Sequence, residues 1–139
     1  MTWIAAETDT HQDSVVAHVV GATALGYFAR EEALHLLLDI GFYWVIYPDA
    51  QMTLLHENLV LAGLGDGERE RLRADADYLR AQGDAAALSI MRAAPADCRI
   101  EGVEIYEDGA RRRLFVRGGG ASLEVETSTE TCEFAVSEL

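Results

Sequence analysis

Lysine is missing from this chain: all eleven basic residues are arginine, and 24 Asp and Glu leave a net charge of −13. Nucleic acids are held by cationic side chains that displace counterions from phosphates, so a chain this acidic is expected to repel them. Long apolar runs are also missing. None approaches the roughly 20 residues needed to cross a bilayer, which argues against a membrane partner. The start of the chain, Met1 to Thr10, carries Glu7 and Asp9 but no base, and so lacks the basic and apolar segments of a secretory signal. Cysteine is scarce: Cys98 and Cys132 make no disulfide framework and suit a reducing compartment. A cytoplasmic location is therefore expected. Repeats, low-complexity tracts and linkers are absent too, so residues 1–139 are expected to form a single globular domain.

Half of the residues are apolar and a quarter are charged, which is globular composition. Thr10 to Asp13 can cap a first helix running from about His11 to about Phe28, with Val15, Val16, Val19, Thr23 and Gly26 on one stripe. Gly21 and Gly26 weaken that helix, but they also permit close approach of a neighbour. A second helix is predicted over Glu31 to Ile40. Its acids lie in the first turn, Ala33, Leu34, Leu36, Leu37 and Ile40 form an apolar face, and Gly41 follows as a stop. Phe42 to Tyr47 is aromatic and β-branched, which favours a buried strand. Residues 51–63 fit either a helix or a returning strand. Glu68 to Gln82 predicts a surface helix with Leu72, Ala76 and Leu79 inward, and Asp84 can cap a further helix over Ala85 to Ala93.

The last forty residues alternate with period two. Asp108-Gly109 signals a hairpin, setting Val103 opposite Leu114 and Glu104 opposite Arg113. A two-residue turn at Gly118-Gly119 sets Leu114 opposite Leu123, and on the outer face Arg113 opposite Glu124 and Arg111 opposite Glu126. Cys132, Phe134 and Val136 point inward on the last strand. The expected architecture is α+β: N-terminal helices, with a short strand or hairpin near 42–55, packed on one face of a C-terminal four-stranded antiparallel meander.

All four histidines lie within residues 11–56. On a helix, Glu31, His35 and Asp39 would share a flank at metal-ligand spacing. If the first elements pack together, His18, His35, Asp39 and His56 could hold a divalent metal such as Zn, Fe, Ni or Mn. Against this, neither H-x-x-x-H nor H-E-x-x-H occurs, and the ordinary state of such histidines is a surface or half-buried imidazole. Paired carboxylates from Asp39 with Asp49 or Glu57 are conceivable as acid and base, but nothing in the spacing selects them. Cys132 reads as a small buried hydrophobe. Gly118 to Gly120 joins two strands with no helix or lysine after it, so it is turn chemistry and not a phosphate loop. Arg111 to Arg113 is the only basic run, and glutamates already oppose it.

Charge is uneven: residues 1–66 hold nine acids against Arg30 alone. Phe115 falls on the wet face of the terminal sheet with Tyr106, where a large apolar group hints at an interface. Two functions are therefore set against each other. The first is a small acidic non-enzymatic module that binds another protein or self-associates as a homodimer, with Phe115 and Tyr106 at the contact and no cofactor. The second is a metal- or small-ligand-binding domain built on His18, His35, Asp39 and His56, with hydrolytic or redox activity. No catalytic residue is identified.

Overall fold

A computed structural model of the chain describes residues 2–83 and 85–139. In chain order the elements are β1 (Ile4–Ala5), α1 (Thr10–Val19), β2 (Ala24–Arg30), β3 (Ala33–Leu38), β4 (Phe42–Ile46) and β5 (Met52–His56). There follow α2 (Glu57–Ala62), α3 (Asp66–Arg80), a short 3-10 turn (Ala85–Ala87) and β6 (Arg92–Ala93), then β7 (Ile100–Asp108), β8 (Arg111–Gly118), β9 (Leu123–Ser128) and β10 (Phe134–Glu138). The class is α+β, as expected, but the sheet content is larger. Two five-stranded antiparallel sheets form, in the orders β1-β7-β8-β9-β10 and β5-β4-β3-β2-β6.

The inner face of the first sheet supplies Ile100, Ile105, Leu114, Val116, Leu123 and Val125 to a core shared with Leu34, Leu36, Trp44 and Ile46 of the second. The other face of the second sheet presents Phe28, Leu37, Tyr43 and Val45 to Leu61, Leu64, Leu72 and Ala76, which come from α2, α3 and the turn between them. The second sheet is thus a middle layer, buried on both sides. Helix α1 adds Val15 and Val19 to the core between the sheets. Its cap is Asp9, whose carboxylate accepts the Gln12 N–H at 2.7 Å while Gln12 Oε1 accepts the Asp9 N–H at 2.9 Å.

Several expected helices are strands or turns. The first helix stops at Val19, where Gly21, at φ 95°, donates its N–H to the Ile100 carbonyl. The chain then enters β2. The helix expected over Glu31 to Ile40 is a tight turn followed by β3. Glu31 and Glu32 both take left-handed φ, 53° and 58°, in the two-residue turn that joins Arg30 to Ala33. Because β3 is buried on both faces, its residues Ala-Leu-His-Leu-Leu-Leu do not alternate, and an unbroken apolar run is compatible with either periodicity. Residues 51–63 contain both of the alternatives, β5 and then α2. The helix expected over Ala85 to Ala93 is reduced to the 3-10 turn, and the cap assigned to Asp84 lies outside the described residues. Helix α3 and strand β4 stand where expected.

The terminal meander is present, joined by β1 as a fifth strand. Its registers are each displaced by two residues: Val103 faces Val116, Leu114 faces Ile105 and Val125, and Arg113 faces Glu126. The first hairpin turns on Gly109 and Ala110, with Gly109 at φ 60°, which glycine adopts at no steric cost. A shift of two keeps every side chain on its expected face. The outer charge ladder survives as diagonal pairs: Arg111 with Glu126, and Arg113 Nε 2.7 Å from Glu124 Oε1. Gly26 permits the close approach suggested by its sequence. A Cβ there would lie 2.5 Å from Leu79 of α3 and 2.9 Å from the Arg92 carbonyl oxygen.

Candidate functional site

The residues proposed as metal ligands are spread over the fold. His18 lies exposed on α1, its Nδ1 donating to the Ser14 carbonyl at 2.7 Å. Asp39 follows β3 and accepts the Thr23 N–H at 2.9 Å. His56 closes β5 and caps α2, its Nδ1 accepting the Asn58 N–H at 3.1 Å, with its ring edge-on to Phe42. His35 sits in β3 on the helix-facing side, stacked on Phe28 with centroids 4.7 Å apart. The Glu31-His35-Asp39 spacing loses its meaning in a strand, where residues four apart are about 13 Å apart. Among the described residues, no three His, Cys, Asp or Glu side chains form a group that could hold a metal ion.

Beneath the helices, His35 Nδ1 and the Tyr43 hydroxyl are both buried without a hydrogen-bond partner. Burial pushes the Tyr43 phenol upward, with the Glu57 carboxylate adding to the effect. An orphaned buried hydroxyl costs about 1–3 kcal/mol. Tyr43→Phe should therefore raise the urea midpoint, and a lowered midpoint would show that the hydroxyl is satisfied. Burial also pulls the His35 imidazole below its ordinary value, with Arg30 assisting and the Ala33 backbone and Glu31 opposing. The fold thus favours neutral His35. Its contribution is complete above the unfolded pKa of about 6.5 and is lost as the pH falls from there through the folded value. His35→Phe should flatten that acid limb of the melting curve, and identical limbs would remove His35 as its cause.

Cys98 is buried and Cys132 half-buried, and both thiols are free. Burial, with the Glu138 carboxylate second, pushes the Cys98 thiol upward, away from nucleophilic use. Tyr106 and Phe115 do meet, edge to face at 5.7 Å on the outer face of the terminal sheet, and each is half-buried. Trp3 lies on the same face, with the Arg113 guanidinium 4.2 Å from its ring centre and that of Arg111 4.9 Å away. Cation–π stacking and the arginine–glutamate ladder therefore cover much of this face. Arg112 faces the other side, 3.8 Å from Glu107.

The feature that sequence reasoning missed is the open side of the sandwich, where the edge strand β10 lies near the part of β2 that the short β6 leaves uncovered. A groove of about 450 Å³ runs there, lined by Tyr27, Leu34, Ile90, Arg92, Phe134 and Val136. A second hollow of about 450 Å³ adjoins it, bounded by Glu31, Glu32, Cys132 and Glu133 and sharing Ala29 and Phe134. Among the described residues, strand β10 pairs only with β9. Ser122 and Leu139 exchange both backbone hydrogen bonds, at 2.9 and 3.5 Å. Antiparallel alternation then makes Ser137 and Ala135 the bonded positions. The N–H and C=O groups of Phe134, Val136 and Glu138 point off the sheet. Across the groove, β6 covers β2 only at Gly26 and Tyr27, so the backbone of Ala29 continues the uncovered row.

Strand β10 also lacks the usual protections of an edge. It contains no lysine, proline or bulge, and its only charge is the terminal Glu138. The strand was present in the sequence as Phe134-Ala135-Val136-Ser137, last in the expected meander, but nothing in the sequence showed the groove beside it.

The fold defines a three-layer α+β protein, with helices over a buried middle sheet and a second sheet outside. No protein-family model matches the chain, nor does any curated protein or solved structure. Among the described residues, no helix is long and apolar enough to cross a membrane.

Proposed function

We propose that this chain is a non-enzymatic protein-interaction module whose contact surface is the open side between β10 and β2. One observation carries the reading: β10 presents an unprotected row of backbone donors and acceptors beside a groove of mixed polar and apolar lining. Exposed sheet edges pair readily with another strand, and proteins normally blunt them unless the pairing is used. The outer face with Tyr106 and Phe115 is the weaker candidate, because those rings already pack on each other.

A photo-crosslinking side chain placed at Ala135 should trap a partner in the cell. The same group at Leu59, exposed on α2, should trap nothing. Equal crosslinking at both positions would remove the reading. A product of twice the chain's mass would identify the homodimer form.

A further inference from the structure

We infer that the groove beside β10 binds an extended, basic segment of a different protein, which joins the outer sheet as a strand next to β10. The inference rests on the interaction reading above and specifies its partner. The outward N–H and C=O groups of Phe134, Val136 and Glu138 match the spacing of an antiparallel strand, which would satisfy all three positions at once. Alternate side chains of that strand would enter the groove beside Tyr27, Ile90, Phe134 and Val136. The others would face outward, level with Ala135 and Ser137. Both of those are small and uncharged, so they neither block nor repel a long side chain.

Charge selects a basic occupant. Glu31, Glu32 and Glu133 stand exposed around the adjoining hollow. Arg30, on the rim of that hollow, is engaged by Glu68 at 3.5 Å and Glu31 at 3.8 Å, and exposed Arg92 on the groove wall is a second base that the three glutamates outnumber. The chain's net charge of −13 adds a long-range attraction for cations at low salt. The same charge opposes a second copy of this chain. A two-fold pairing of β10 about Val136 would also set Glu138 of each copy against Phe134 of the other, placing a carboxylate on an aromatic ring. A different, basic chain avoids both penalties.

The test uses acetylated, amidated heptapeptides with a fluorescent label, followed by anisotropy at low salt. One alternates Arg and Val, a second alternates Glu and Val, and a third is the Arg–Val peptide with N-methylated valines. The Arg–Val peptide should bind, weaken as salt is raised, and slow amide exchange at Phe134 and Val136. The Glu–Val and N-methylated peptides should bind at least roughly tenfold more weakly, the loss of about 1.4 kcal/mol. In the protein, Glu138→Pro removes an outward donor without touching the bonds to β9, and should weaken the Arg–Val peptide roughly tenfold with the melting temperature unchanged. Glu138→Gln measures the part of that loss due to charge alone.

Equal affinity for Arg–Val and Glu–Val peptides would overturn the basic partner, and equal affinity for the N-methylated peptide would overturn strand addition. If no peptide binds while the Ala135 crosslink persists, the inference fails and the interaction reading stands. A dimer that becomes monomeric in Glu138→Pro would also overturn it, making a second copy the occupant. Absence of both peptide binding and crosslink would remove the two readings together.

Discussion

Replacing Asp75 by alanine is expected to cost on the order of 2–4 kcal/mol, because a buried amide left without an acceptor costs about 1–3 kcal/mol and two part-buried ones cost less. Asp75 lies in the middle of α3 and is 1 % exposed. Its carboxylate accepts three consecutive backbone N–H groups, from Ser89 at 2.8 Å, Ile90 at 2.6 Å and Met91 at 2.9 Å. This arrangement ties the segment after the 3-10 turn back onto the helix and brings Met91 into the helix-side core. Three N–H groups converging on one carboxylate make a small anion nest. Urea unfolding measures the loss. Asp75→Asn should fall between wild type and alanine, since its carbonyl can accept but its amide repels the remaining donors. A loss under about 1 kcal/mol in the alanine variant would mean that water replaces the carboxylate and that the clamp is not a stabilising element.

Trp44→Ala is expected to cost a similar amount, about 3–5 kcal/mol, through cavity formation. Trp44 is fully buried in the core between the two sheets, and its indole N–H reaches Met52 Sδ at 3.4 Å. Its neighbour Tyr43 points to the opposite side, toward the helices, and is equally buried. Consecutive strand residues buried on opposite faces are what a middle layer requires. Trp44→Phe should cost less, because most of the volume is retained. Chemical denaturation followed by far-UV circular dichroism gives the values. An alanine variant within about 1 kcal/mol of wild type would show that the sheets close over the gap.

Periodicity carried the reading furthest where one face of an element is wet. Helix α3 shows it, with Leu72 and Ala76 inward and its charged residues outward apart from the buried Asp75. The terminal sheet shows it too, where Leu114, Val116, Leu123 and Val125 are inward as the alternation required. Even the two-residue error in register left those faces correct, since side chains repeat every second residue. Periodicity failed at β3, where both faces are covered and polar residues no longer mark the outside. It failed again at the turn before β3, because Glu31 and Glu32 occupy left-handed positions that Asn and Gly would have advertised.

The proposed site divides in the same way. The alternating pattern of Phe134, Val136 and their neighbours was legible, and so were the acids of residues 1–66. The metal proposal depended on a helix over 31–40 and lost its geometric basis when that segment became a strand. The groove could not be read, because it is made by Tyr27 and Phe134, 107 positions apart, meeting at the open side of two sheets.

By itself the amino-acid sequence determined the acidic charge, the amphipathic helix α3, the buried aromatic strand β4 and the faces of the terminal meander. Each of these follows from local composition or from a repeat along the chain. Tertiary structure alone decided that the chain from 24 to 38 forms strands and not helix, that the sheet they build lies between two other layers, and that a groove opens beside β10. Those outcomes depend on which surfaces are covered and which backbone groups find partners across the fold. Such partners are distant in sequence, so no local pattern records them.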